Sequence, residues 1–152
     1  LHKAIRRQRQ MCIRDRITTY NENEYSIVCN GQIYNTLEIK DTLIENGFYF
    51  KTNSDIEVLL NAFIFYGYDI VKHINGNFAF AIWNKNKEEL FLARDHFGIK
   101  PLFYTITDDT LVFASELKSI FKFPTVKKTI DSTGICELFR NWSSTYPWYN
   151  CF

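Results

Sequence analysis

The sequence predicts a layered α+β fold for this chain of 152 residues. Two segments with helical spacing of apolar residues come first, at residues 36–46 and 54–66. Two pairs of short apolar segments follow, and a short polar turn joins the members of each pair. Helices that precede a run of antiparallel strands are typical of layered α+β domains. The length agrees with a single domain, since domains commonly hold roughly 100–200 residues.

The first predicted elements are a strand, a turn and a helix. Residues 25–29 are rich in side chains that favour strands. Asn30 and Gly31 follow, and this dipeptide most often forms a hairpin turn. The same pair can also direct one side-chain N–H and one backbone N–H at a single point, as an oxyanion requires. A helix is predicted over residues 36–46, and a second strand over residues 48–52.

The second long helix begins at a sequence with the spacing of a capping box, Ser54-Asp55-Ile56-Glu57. In such a box the serine and glutamate side chains bond to backbone N–H groups at the helix start. The apolar pattern continues to Gly67, where the helix is expected to end. A short helix is predicted over residues 68–73.

The next segments predict antiparallel sheet with a meander-like order. Residues 77–83 and 89–93 are apolar strands joined by a polar Asn-Lys-Asn-Lys turn. Residues 102–107 and 110–114 repeat the pattern around two aspartates. Each pair is therefore expected to form a hairpin.

Two short helices are predicted near the end of the chain. Ser115 would cap a helix over residues 116–121, and Asp131 would cap another over residues 132–139. Serine and aspartate favour this position because their side chains accept a hydrogen bond from the first-turn backbone N–H groups.

The net charge of +1 hides an uneven distribution. Residues 1–16 hold six basic residues against one aspartate, which gives this segment +5 and leaves −4 for the rest of the chain. A mildly acidic body excludes nucleic acid as a partner. No apolar run is long enough to span a bilayer, so no membrane partner is expected either. We therefore expect a cytoplasmic protein.

The four cysteines are Cys12, Cys29, Cys136 and Cys151. They form no C-x-x-C pair and have no histidine at ligand spacing, so no metal site is expected. A disulfide framework is equally unsupported. The three histidines are scattered along the sequence, and we assign none of them a catalytic role.

Five separated motifs resemble, in order, the glutaminase domain of glutamine-hydrolysing asparagine synthase, a class II glutamine amidotransferase. They are NGQIYN at 30–35, TNSDIEVLL at 52–60, NGNFAFAIW at 75–83, LFLARDHFGIKPL at 90–102 and FASELK at 113–118. One such motif could arise by chance, but five in the same order identify residues 20–139 as part of a domain of this kind.

The resemblance implies an N-terminal-nucleophile fold, an αββα sandwich of two antiparallel sheets packed together with helices outside. In such domains a cysteine at the mature N-terminus attacks the side-chain amide of glutamine, with its own α-amine as base, and releases ammonia. The resemblance also implies a synthetase domain, outside this chain, that uses ATP and Mg²⁺ to convert aspartate to asparagine. The implied partners are glutamine and that domain, with a homodimer for the full-length protein. No cofactor is expected in the fragment itself.

Four residues match site residues of the family. Asn30 and Gly31 match the oxyanion hole, where N–H groups replace water around the developing charge. Asp55 matches the residue that recognises the α-amino group of glutamine, although an aspartate in a first helical turn also complements the helix dipole. Gln32 stands where the family usually has glutamate, so a negative charge near the substrate amine is missing and weaker binding is expected.

A second group of polar residues is interpreted as scaffold. Arg94, Asp95 and Lys100 lie in the family's Arg-Asp-x-x-Gly-x-Lys-Pro turn. An Arg-Asp pair beside a glycine is more often a structural clasp than a catalyst. Residues 78–83 alternate small and large side chains, which is typical of sheet core.

Both ends of the chain depart from the family pattern. Cys12 imitates the family's Met-Cys start, but we reject it as the nucleophile because the α-amine mechanism requires a terminal cysteine. Residues 1–19 are interpreted as a foreign basic segment, artefactual in origin. Residues 140–152 are interpreted as frameshifted, because permitted codons for them, read one base later, spell the family-like GIGPARTPGITV. We expect the fragment alone to be inactive and poorly soluble, since missing strands would expose apolar sheet surface and open edges.

Two other interpretations stay open. The chain could belong to another class II amidotransferase, or to a related beta-lactam-forming synthetase, whose distinction lies in the missing domain. It could also be a non-catalytic module that binds glutamine or docks a partner. Glutamine binding without turnover would favour the module.

Overall fold

The computed structural model describes residues 14–20, 23–52, 54–107, 110–129 and 136. The strands are β1 (Arg14–Tyr20), β2 (Asn23–Ile33), β3 (Gly76–Asn84), β4 (Glu89–Arg94), β5 (Phe103–Thr107) and β6 (Thr110–Ala114). The helices are α1 (Thr36–Glu45), α2 (Asp55–Tyr66) and α3 (Leu117–Ile120), with a 3₁₀ helix at Gly67–Lys72. One sheet has the strand order β1-β2-β3-β4, and β5 and β6 form the other. All pairings in both sheets are antiparallel, as predicted for the two hairpins.

The hydrophobic core lies on one face of the larger sheet. Ile27, Cys29 and Ile33 alternate along β2 and are buried on this face, because successive side chains of a strand point to opposite sides. They form one cluster with apolar side chains of β3, α1 and α2, among them Phe80 and Leu43. The helices therefore cover this face, and burial of each such side chain contributes about 1.5–3 kcal/mol.

The opposite face of the larger sheet meets the smaller sheet. Val28 of β2 and Ala81 of β3 lie on this face and line a cavity of about 280 Å³ together with Phe113 of β6. Asn30 lies on the same face, and its side chain bonds to Ser115, the residue after β6. The architecture is thus a helical layer, a four-stranded sheet and a two-stranded sheet, in that order.

Residues 48–52 do not form the predicted strand. The backbone N–H groups of Lys51 and Thr52 donate to the carboxylate of Glu57, at 2.9 and 2.8 Å. The ring of Phe48 stacks on Tyr20 of β1, with 5.4 Å between ring centroids. Because these N–H groups are bonded to a side chain, they are not available to a strand ladder, and the segment is a loop anchored to α2.

Two predicted helix caps are also wrong. Ser54 is the N-cap residue of α2, but its side chain makes no capping bond, and Glu57 bonds to the preceding loop instead of closing a capping box. Ser115 does not cap the following helix, because α3 begins later and its N-cap residue is Glu116. Local spacing therefore predicted capping bonds that the structure does not contain.

Two sequence predictions lie at the borders of the described residues. The helix predicted over residues 132–139 lies outside them except for Cys136. The strand β1 includes residues 14–19, which pair with β2 and which the sequence analysis assigned to the basic segment. The boundary at residue 19 stays a prediction. Within the described part of the chain, no helix is long and apolar enough to cross a membrane.

Candidate active site

Asn30, Gly31 and Gln32 lie in β2, not in a turn. The strand continues to Ile33, and the three residues pair with Ala79, Phe78 and Asn77 of β3. The prediction of a hairpin turn at Asn-Gly is therefore wrong. The reason is that β3 supplies an extended partner for the whole segment, which local sequence does not reveal.

The side chains of Asn30 and Gln32 share one face of β2. Cys29 and Ile33 occupy the other face, where they are buried in the core. Asn30 is half-buried between the two sheets, and Gln32, nearer the strand end, is exposed. The alternation along the strand thus directs both amides away from the helical layer.

Gly31 allows β2 and β3 to approach each other more closely than any other residue would. It has a φ of +136°, and a β-carbon built on it would lie 2.1 Å from the carbonyl oxygen of Asn77. Gly76 on β3 repeats the arrangement, because a β-carbon there would lie 2.3 Å from the carbonyl oxygen of Gln32. One glycine on each strand, Gly31 opposite Phe78 and Gly76 opposite Ile33, therefore allows this close approach of the two strands.

The register indicates where the backbone N–H of Gly31 points. The Tyr34 N–H donates to the Asn75 carbonyl at 2.7 Å, and bonded and non-bonded pairs alternate along an antiparallel ladder. The Phe78 carbonyl accepts instead from the Asp95 N–H, at 2.8 Å, on the side away from β2. Gly31 and Phe78 are therefore a non-hydrogen-bonded pair, so the Gly31 N–H faces away from β3.

On that other side of β2, the described pairing with β1 ends at Cys29, opposite Arg14. Within the described residues, no strand lies opposite Gly31 on this side. The Gly31 N–H is thus directed away from β3, next to a residue that carries a side-chain amide. A backbone N–H and an adjacent amide N–H are the donors from which oxyanion holes are built.

The amide of Asn30 is held by a residue of the second sheet layer. Its Nδ2 donates to the hydroxyl oxygen of Ser115, with 3.4 Å between the two atoms. A side-chain amide nitrogen carries two N–H groups, so one bond to Ser115 leaves capacity for a second acceptor. Sequence reasoning missed this contact, because the serine resembles a helix cap and lies 85 residues away.

Asp55 is the first residue of α2 and is half-buried. It does not share an element with Asn30, Gly31 and Gln32, so the strand alone does not set its position relative to them. The loop that precedes Asp55 is tied to the same helix by Glu57, whose carboxylate is buried and accepts from Lys51 and Thr52. This anchoring ties the loop before Asp55 to the first turn of α2.

The loop after β4 is built around Asp95. Its carboxylate accepts the N–H groups of Phe97, Ile99 and Lys100 at 3.1, 2.9 and 2.9 Å. Burial alone would raise the pKa of Asp95, but these backbone donors, with Lys100 foremost, together hold the pKa below its usual value. The carboxylate therefore stays ionised and organises the loop.

Arg94 completes this loop from the outside. Its guanidinium donates to the carbonyl of Lys100 at 2.8 Å and to the carbonyl of Gly98. All of these bonds are internal to the segment. The contacts support the interpretation of Arg94, Asp95 and Lys100 as scaffold.

A cavity of about 500 Å³ lies at the same end of the sheet as Gln32. Asn77, which pairs with Gln32, is among its lining residues, and so are Tyr34, His96 and Phe97. The loop organised by Asp95 thus forms one wall of this cavity. Motif reasoning alone assigned no role to His96 or Phe97.

The positions of the cysteines and of potential metal ligands can be compared with the candidate site. Cys29 is buried, and its side chain lies on the opposite face of β2 from Asn30, so it does not reach the amide. Cys136 is exposed, while Cys12 and Cys151 lie outside the described residues. Across the described ranges, no group of three or more potential ligands is suited to a metal ion.

Comparison with known proteins gives consistent matches. The family described as a glutamine amidotransferase domain matches residues 14–152. Asparagine synthetase (glutamine-hydrolyzing) 3 of Bacillus subtilis is 42% identical over 129 residues, which are 85% of this chain and 21% of the relative. Asparagine synthetase (glutamine-hydrolyzing) 1 of the same organism is 47% identical over 102 residues, 67% of this chain and 16% of the relative. The chain thus spans about a fifth of the length of these relatives.

A solved structure has the same fold. The glutamine phosphoribosylpyrophosphate amidotransferase from B. subtilis superposes with a TM-score of 0.62 at 25% identity, over 72% of this chain and 26% of that chain. This likeness confirms the fold class expected from the motifs, two packed antiparallel sheets with helices outside.

Proposed function

The chain belongs to the glutamine amidotransferase domain family, and from this premise we propose that it is the glutaminase region of a glutamine-hydrolysing asparagine synthase. Identities of 42% and 47% to two asparagine synthetases, against 25% to the phosphoribosylpyrophosphate enzyme, support this branch of the family over the other. The proposed reaction is hydrolysis of the side-chain amide of glutamine, with the ammonia passed on for conversion of aspartate to asparagine.

The observation that carries the proposal is the pair of donors at the end of β2. When the amide carbon of glutamine is attacked, its carbonyl oxygen becomes negatively charged. In this proposal the Gly31 N–H, which points away from β3, and the adjacent Asn30 amide both donate to this oxygen. Losing one donor of this kind typically lowers the rate by about 10²–10³.

Two further residues are assigned to substrate binding. Asp55 supplies a carboxylate for the α-amino group of glutamine, since ionised acceptors form the stronger hydrogen bonds with an ammonium group. Gln32, exposed near the cavity at the strand end, faces the same substrate with a neutral amide. Its lack of charge makes binding weaker than a glutamate at that position would.

The remaining components of the reaction are proposed to lie outside residues 1–152. The chemistry needs a terminal cysteine whose α-amine acts as base, and none of the four cysteines of this chain is at position 1. The polypeptide of residues 1–152 alone is therefore expected not to hydrolyse glutamine. ATP and Mg²⁺ would act in a synthetase domain that receives the ammonia. A cytoplasmic homodimer is the proposed state of the full-length protein.

The test is glutamine binding by the 152-residue polypeptide, measured by isothermal titration calorimetry. The Asn30 amide is proposed to donate also to the neutral carbonyl oxygen of bound glutamine, so Asn30→Ala is expected to weaken binding about tenfold, the effect of one lost hydrogen bond of about 1.4 kcal/mol. Asp55→Asn is expected to weaken it by about 10- to 100-fold, because a charge-assisted bond is lost.

Matched controls come from α1. Asn46→Ala removes an exposed asparagine at the end of α1, and Asp41→Asn removes an exposed carboxylate from the same helix. Both are expected to bind glutamine like the unchanged chain. A folded chain that does not bind glutamine, or an Asn30→Ala variant that binds it as well as Asn46→Ala, would overturn the proposal.

A further inference from the structure

Ser115 stands out among the polar residues near the candidate site, because the sequence predicts it as a helix cap and the helix does not use it. The N-cap residue of α3 is Glu116, and no side chain caps this helix. The Ser115 hydroxyl instead lies 3.4 Å from Nδ2 of Asn30. This bond joins the end of β6 in the smaller sheet to β2 in the larger one.

Three described neighbours of Asn30 on this face of the sheet offer no side-chain acceptor for this N–H. Ala79, directly opposite on β3, carries only a methyl group. Arg94, the next residue in the same row on β4, carries only donors, and these are directed at the Gly98 and Lys100 carbonyls. Val28, two positions earlier on the same face, is apolar. Ser115 supplies an oxygen that these three neighbours lack.

We propose that Ser115 is a positioning residue that holds the Asn30 amide in the orientation required for the oxyanion hole. The inference rests on the proposed function of Asn30. The hydroxyl accepts one of the two N–H groups of Nδ2, and the second N–H remains for the substrate oxygen. Without Ser115 the amide would rotate between several orientations, and only a fraction of molecules would present the nitrogen correctly.

The hydrogen bond between Asn30 and Ser115 also gives the smaller sheet a role in the candidate site. Ser115 follows β6 directly, so its position depends on the packing of the β5–β6 hairpin against the larger sheet. The oxyanion hole then requires both sheets, although both of its donors lie on β2. Substitutions that shift the hairpin would act on the site through this single hydrogen bond.

The first test is direct observation of the Asn30 side-chain amide by ¹H–¹⁵N NMR of the 152-residue chain. Its signals are identified by their loss in Asn30→Asp. Ser115→Ala is expected to shift them and to accelerate their hydrogen exchange about fivefold, as for one neutral hydrogen bond of about 1 kcal/mol. Ser115→Thr keeps the hydroxyl and is expected to retain the original signals.

The matched control is Ser26→Ala. Ser26 lies on β2, as Asn30 does, faces the smaller sheet, and lines the cavity between the sheets. The same loss of a hydroxyl at this position is expected to leave the Asn30 signals unchanged. Asn30 signals that are identical in Ser115→Ala and the unchanged chain would overturn the inference.

The second test is a double-mutant cycle on glutamine affinity. If Ser115 acts through Asn30, Ser115→Ala weakens glutamine binding about fivefold in the unchanged chain and has no effect in the Asn30→Ala background. Equal effects in both backgrounds would show a general structural role and overturn the inference. The NMR experiment needs no glutamine. If the chain does not bind glutamine, the proposed function is refuted, but the NMR signals still show whether Ser115 holds the Asn30 amide.

Discussion

Gly31 lies against the backbone of Asn77 so closely that no β-carbon fits between them. A β-carbon on Gly31 would lie 2.1 Å from the Asn77 carbonyl oxygen, and 2.8 Å from the Cα of Phe78. Both neighbours are backbone atoms of β3, which cannot rotate away as a flexible side chain would. The candidate oxyanion hole is therefore built at a point where two strands are in unusually close contact.

Gly31→Ala is expected to lower the free energy of unfolding by about 3 kcal/mol, because the methyl group overlaps β3 and the φ of +136° disfavours a side chain. Gly47→Ala is the matched control. Gly47 also has a positive φ, of +85°, but nothing lies within 4 Å of its added β-carbon. Its cost is expected to be about 1 kcal/mol, from backbone strain alone. Urea unfolding measures both, and equal losses would contradict the close approach.

Glu57→Ala is expected to lower the free energy of unfolding by about 2–4 kcal/mol, because it leaves the N–H groups of Lys51 and Thr52 without their acceptor. Limited proteolysis should then cut within residues 48–54. Glu45→Ala, at an exposed position of α1, provides the comparison and is expected to change stability by less than about 0.5 kcal/mol. Resistance of the 48–54 loop to protease in Glu57→Ala would speak against its anchoring by Glu57.

Asp95 is expected to make stability depend on pH in the acid range. The pKa of Asp95 in the folded chain lies below the usual value of about 3.9. The ionised carboxylate therefore stabilises the fold, and this contribution is fully present at pH values above the usual pKa. The contribution is lost as the pH falls through the lowered pKa, because the unfolded chain binds the proton first. Urea unfolding at pH 7 and at lower pH should show this loss.

Asp95→Asn is therefore expected to be less stable at pH 7 and to lose less stability on acidification than the unchanged chain. Asp41→Asn, on the exposed face of α1, is expected to keep the pH dependence of the unchanged chain. An Asp95→Asn variant with the same slope of stability against pH would show that the loop bonds of Asp95 do not govern this behaviour.

Gln32→Glu is expected to strengthen glutamine binding by about 3- to 10-fold, because a carboxylate replaces a neutral amide near the substrate amine in an exposed position. The comparison ligand is 4-carbamoylbutanoate, which lacks the α-amino group of glutamine. Its affinity should not rise. A gain of the same size for both ligands in calorimetry would place Gln32 away from the amine.

The hairpins were predictable because apolar alternation and polar turns are properties of neighbouring residues. The pairs β3–β4 and β5–β6 and the helices α1 and α2 agree with the pattern within a few residues. The polar side chains were less predictable. Glu57 and Ser115 both fit local capping patterns, yet each bonds to a group outside the helix that it was expected to cap. Carboxylates and hydroxyls bond to whichever donors packing brings within reach, and local spacing does not contain that information.

The sequence by itself determined the family, through five ordered motifs, and the types and order of most helices and strands. These follow from hydrophobic periodicity and from residue identities, which need no knowledge of the fold. Only the tertiary structure decided that Asn30 and Gly31 belong to a strand and not a turn, because that depends on β3 pairing with the whole of β2. It also decided the direction of the Gly31 N–H and the partner of the Asn30 amide. Both depend on strands that are distant in the chain and adjacent only after the sheets have packed.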